Sequence, residues 1–170
     1  MLLVLSVIIF FDFTWTLYRF SYYLPSWLGY LNIWGTLVVA AYALSFALLE
    51  SLVFLAFLLS LSLVFPPKFF QDKFVAQGSA LTAVLGVGAF LLQRKIFIFY
   101  SMEMWQIAAT VIAFPIAIVV LVLISSFLLD RFKILSRLAN TVADRMTLFA
   151  WIYVPLGLLS LVVVVLRNLL

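Results

Sequence analysis

Apolar positions in this chain neither alternate nor keep to one face of short helices; they run on in long blocks set apart by brief polar connections. Leu37 to Phe65 is a run of 29 residues with Glu50 as its only charge, and Phe74 to Gln93, Met104 to Leu129 and Met146 to Leu166 carry none. At about 1.5 Å per helical residue, each block reaches across a hydrocarbon layer of roughly 30 Å. The opening segment is also apolar, although Asp12 interrupts it and Arg19 closes it. It has no basic residue before the apolar run and no small-residue cleavage site before the aromatic cluster, so it reads as a retained span rather than a signal peptide. The pattern predicts one transmembrane domain over residues 1–170, with spans near 2–20, 37–65, 74–93, 105–129 and 147–166.

The connections carry their own signals. Pro66 and Pro67 cannot continue a helix, so the second span is expected to stop there, whereas Pro115 and Pro155 lie within spans and are expected to kink them. The segment "YRFSYYLPSWLGYLNIWG" gathers Tyr18, Tyr22, Tyr23, Trp27, Tyr30 and Trp34 and is expected to connect the first two spans as an aromatic belt at the headgroup level; an aromatic-lined ligand site is the alternative. Residues 130–146, "DRFKILSRLANTVADRM", put Asp130, Lys133, Arg137, Asn140, Thr141 and Asp144 opposite a stripe of Ile134, Leu135, Leu138, Val142 and Met146. This predicts an amphipathic helix lying along the cytoplasmic face, with Arg131, Lys133, Arg137 and Arg145 turned toward anionic lipid headgroups or a partner.

Composition places the chain in its class. It is 68% hydrophobic and 9% charged, against roughly 45–50% and 25% in soluble domains. The expected fold is an all-α integral membrane protein, a bundle of about five transmembrane helices plus the amphipathic helix. With no cysteine and no histidine, disulfides, thiolate chemistry and the usual metal ligands and proton shuttle are excluded, and nothing calls for a cofactor. The net charge of +4 sits in the connections and is read as membrane orientation rather than nucleic-acid binding. Six basic residues (Lys68, Lys73, Arg131, Lys133, Arg137, Arg145) fall on one face and four (Arg19, Arg94, Lys95, Arg167) on the other. The positive-inside rule then predicts a multi-pass protein of the cell membrane with a cytoplasmic N-terminus and an outward C-terminus.

Glu50 is the residue that most needs explaining. On a helix it shares a stripe with Ala40, Ala43, Ala47, Phe54 and Phe57, and small residues there suit close helix packing, so the carboxylate is expected to face protein. Asp12, Thr16 and Arg19 share a face of the first span, with Asp12 at the depth of Glu50; Ser79, Thr82 and Gln93 lie on a small, polar stripe of the third with Gly86 and Ala89. The three stripes are expected to converge into a polar site in which Arg19 neutralises one acid. No catalytic, nucleotide or metal motif accompanies them. The expected function is a non-enzymatic accessory or scaffold subunit that packs with a larger membrane partner or with itself. The alternative is a small transporter or channel component using Glu50 and Asp12 as a proton or cation site. In topology alone the five spans resemble the membrane portion of lipoteichoic-acid-synthase-like enzymes, a likeness that carries over no residues.

Overall fold

A turn of two residues sets the first half of the fold. In the computed structural model, which describes residues 1–67, 70–93 and 103–169, α1 runs Leu2–Tyr30 and α2 Ile33–Val64, with only Leu31 and Asn32 between them. Leu31 is extended, and its N–H donates to the Trp27 carbonyl at 2.7 Å to close α1. Asn32 caps α2: its Oδ1 accepts the Gly35 N–H at 2.7 Å, one of the donors that a helix start leaves unpaired. The aromatic segment expected as a connection is therefore mostly helix. Pro25 lies inside α1 and forfeits a single backbone hydrogen bond, so it does not end the helix.

Among the described residues the remaining helices are α3 (Phe74–Gln93), α4 (Met104–Arg131) and α5 (Lys133–Leu169). Among the described residues there is no strand, and five helices are long and apolar enough to cross a membrane. The expected spans lie inside these helices except for Phe65, which follows the end of α2, but the flat amphipathic helix over 130–146 is not a separate element. Asp130 and Arg131 finish α4, Phe132 breaks the chain, and Lys133 begins a single helix of 37 residues that continues through Pro155. No glycine or proline falls between Lys133 and Met146, so nothing interrupts the backbone there. At about 1.5 Å per residue, α5 is roughly 55 Å long.

The helices form two units, Met1–Ser60 with Val142–Leu170, and Leu61–Thr141. In the first, α1 and α2 run antiparallel and bury Ile9, Phe13, Leu44, Ala47 and Leu48, with Leu5, Leu17, Tyr153 and Val154 packed against them. The Phe13 ring stacks on that of Tyr153 at 5.1 Å, Phe10 packs on Phe149 at 4.9 Å, and the Asn168 side-chain amide donates to the Tyr42 hydroxyl at 2.8 Å. In the second unit Pro66 and Pro67 stop α2 as expected, and the Pro67 carbonyl accepts the N–H groups of Phe70 and Asp72. Phe70 is fully buried, and the Gln71 amide donates to the Ser62 carbonyl at 2.9 Å. A short 3-10 turn over Gln71–Lys73 leads into α3, which packs on α4. An ion pair between Lys73 and Asp130 joins the start of α3 to the end of α4. Lys68, Arg94 and Lys95 and the side chain of Pro115 lie outside the described residues.

The surface is largely apolar, and some polar groups share the interior with an apolar core. Large apolar side chains such as Phe46, Val53, Leu63, Phe127, Trp151 and Leu159 are exposed, while Ser45, Ser51, Gln77, Ser79, Thr82 and Ser126 are buried.

Gly157 lets α5 approach the α1–α2 pair. A Cβ at this position would stand 3.0 Å from Cζ of Phe13 and 3.1 Å from Cβ of Leu48, which is fixed to its backbone. Gly157→Val is therefore expected to destabilise the chain by about 1–3 kcal/mol through overpacking, read as a lower Tm in detergent. An unchanged Tm would show that α5 does not pack here.

Candidate functional site

Asp12 and Ser51 are level because the turn is symmetric about them: Asp12 lies 19 residues before Leu31, and Ser51 lies 19 after Asn32. Both point inward. Ser51 is completely buried, and its Oγ lies 2.7 Å from Asp12 Oδ2 and 2.8 Å from the Ala47 carbonyl oxygen. A hydroxyl has one hydrogen to donate. With Asp12 ionised, that hydrogen goes to the carboxylate; with Asp12 protonated, the carboxyl donates to Oγ and the hydroxyl turns to Ala47. The pair can take up or release a proton with no movement of heavy atoms.

Glu50 is placed differently from the expectation. It lies within electrostatic reach of Asp12 but is exposed on the outer side of α2. The stripe that α2 buries is Ala41, Leu44, Leu48, Ser51 and Leu58; of the stripe expected around Glu50, only Ala47 is buried. Adjacent helical residues differ by about 100° in direction, and the large apolar side chains of Leu44 and Leu48 won the inward position.

Arg19 does not reach Asp12 either. Its guanidinium lies over two rings of its own helix, 5.9 Å from Trp15 and 5.3 Å from Tyr23. Seven residues of helix, about 10 Å of rise, separate it from Asp12. Thr16 is half-buried on α1.

Ser79 and Thr82 belong to the second unit. Thr82 donates to the Gly78 carbonyl at 2.7 Å, and Ser79 Oγ is buried with no hydrogen-bond partner among the described residues. The side chain of Gln93 lies outside those residues. The polar site is thus a pair, Asp12 and Ser51, with Glu50 beside it. Arg131 closes α4, and Lys133, Arg137 and Arg145 are exposed along the first turns of α5.

Gln77 escaped the sequence reading. It is fully buried, and its Nε2 donates to the Val122 carbonyl at 2.9 Å and to Ser125 Oγ at 2.7 Å, while Oε1 has no partner among the described residues. The signal was present: an amide early in one uncharged span and a pair of serines late in the next face each other when the spans are antiparallel.

No family model matches this chain, no curated protein is similar to it in sequence, and no solved structure matches its fold.

If the Asp12–Ser51 bond carries weight, Asp12→Ala and Ser51→Ala are coupled. A double-mutant cycle on unfolding in detergent is expected to give about 0.5–1.7 kcal/mol, the range of hydrogen bonds between membrane helices. Additive single-mutant effects would dismiss the bond.

Proposed function

We propose that the chain is an integral membrane protein of five spans and serves as a non-enzymatic accessory subunit, packing through the Glu50 side of α2 against a larger membrane protein or a second copy. One observation carries the reading: a carboxylate exposed near the middle of a helix whose other outward residues, Phe46, Leu49, Leu52 and Val53, are apolar. An acid facing lipid at that depth costs at least about 2.5 kcal/mol, and a neighbouring helix removes that cost. The exposed α5 residues between Lys133 and Arg145 suit the cytoplasmic headgroup layer, and a helix of that length extends well beyond a hydrocarbon core. The Lys73–Asp130 pair supports the reading that the second and fourth connections share a face. That face carries more lysine and arginine, which assigns it to the cytoplasm.

Glu50→Leu makes the α2 face wholly apolar. It is expected to weaken association by at least about tenfold, measured by crosslinking in native membranes and by co-purification in mild detergent. A wild-type chain that purifies alone, with no crosslinked partner or second copy, would overturn the assignment.

The proximity of Asp12 and Glu50 favours a second reading, a small transporter or channel component with the two acids as a proton or cation site. It predicts that Glu50→Gln abolishes flux in proteoliposomes while the protein stays folded; undiminished flux in the variant would exclude it.

A further inference from the structure

A stripe of α1 repeats at every fourth residue: Trp15, Arg19, Tyr23 and Trp27. Arg19 lies over the rings on either side of it, and Tyr23 stacks in turn on Trp27 at 5.9 Å. Among the described residues no carboxylate pairs with Arg19. Rings hold a guanidinium by its faces, and its hydrogen-bond donors lie at its edge, in the plane, where they match the oxygens of a phosphate. A lysine ammonium has no such faces to stack and no planar fork to present.

Depth selects the ligand. Pro66 and Pro67 stop α2 after Val64, and a hydrocarbon core of roughly 30 Å, about twenty residues, counted back from there reaches Leu44 and Ser45. Leu44 lies twelve residues after Asn32 and Arg19 twelve before Leu31, so Arg19 stands at that boundary. A polar contact lies near the same level. Ser21 lies ten residues before Leu31 and Tyr42 ten after Asn32, and it is the Tyr42 hydroxyl that accepts the Asn168 amide. A polar contact on the outer part of the unit therefore coincides with the place where the stripe passes from lipid tails to headgroups. A cation held there, at the boundary, meets the phosphate layer.

We propose that Trp15, Arg19, Tyr23 and Trp27 form a seat for the phosphate of a phospholipid headgroup in the leaflet at the α1–α2 turn, with Arg19 as the anion-binding group and the rings fixing its orientation. The site rests on the membrane-spanning reading and is independent of the accessory role.

The test is retention of phosphatidylglycerol by the full chain, purified from vesicles of that lipid and phosphatidylcholine and observed by native mass spectrometry. Arg19→Gln is expected to lower retention by about tenfold, the worth of a charge-assisted hydrogen-bond pair. Arg19→Lys is expected to restore only part of it, and Arg167→Gln, an exposed basic residue at the end of α5, to leave it unchanged. Full retention by Arg19→Gln would overturn the proposal, and so would an equal loss in Arg167→Gln, because binding would then follow net charge. Displacement by millimolar inorganic phosphate would overturn the lipid assignment in favour of a general anion site. Resistance of the wild-type chain to carbonate extraction of membranes tests the spanning reading separately, so failure of the seat leaves the span standing. Unchanged helical circular dichroism in each variant keeps a folding defect from imitating loss of the site.

Discussion

Buried polar groups on these helices call for hydrogen-bond partners, and much of the packing depends on that constraint. A helix pairs its own amides and carbonyls, which is why a chain with so few polar residues can be helical nearly throughout. Side-chain hydroxyls obey the same rule. Ser6, Thr36, Ser45, Thr82 and Ser125 each donate to the carbonyl four residues earlier, so they can sit inside without a partner on another helix. Hydroxyls satisfied on their own helix sit beside an apolar core that includes Ile9, Phe13, Leu44 and Leu48, while many other large apolar side chains turn outward.

Groups that cannot be satisfied locally show where the helices are pinned. A carboxylate and a carboxamide have no such carbonyl to turn to with all of their atoms, and each finds a neighbour on another helix: Asp12 meets Ser51 across the first turn, and Gln77 meets Val122 and Ser125 between α3 and α4. These contacts fix rotation and register in a way that interchangeable leucines do not. Close packing adds a third pin, Gly157 against Phe13 and Leu48, where the absent side chain is what allows contact. Arg19 solves the problem differently. Its guanidinium lies within cation–π range of two ring faces on its own helix, those of Trp15 and Tyr23.

Helix class and, among the described residues, the five long apolar helices were legible in the sequence because they follow from length and composition, which need no knowledge of neighbours. Blocks of apolar residues gave helices, and the paired prolines at 66 and 67 stopped one of them. Depth was legible in part: Asp12 was expected at the level of Glu50, and the turn at Leu31 and Asn32, seen only in the fold, brings Ser51 to that level. Boundaries were less so. The aromatic segment after Arg19 and the stretch after Phe132 have compositions that suit an interface, yet both are continuous with a long helix, because neither contains a residue that breaks one at the point expected.

Rotation about the helix axis was decided by the tertiary structure alone. In an almost uniformly apolar helix the sequence shows no strong polar face, so nothing local says which side turns inward. Packing decided it: burying Leu44, Leu48 and Ser51 against α1 left Glu50, one residue and about 100° away, on the outside. The same step made Ser51, rather than Arg19 or Glu50, the hydrogen-bond partner of Asp12. Sequence by itself placed Asp12 and Glu50 at one level and called for a neighbour to an acid in an apolar block. Which neighbour it found depended on side-chain volumes contributed by two helices at once, information that neither segment carries alone.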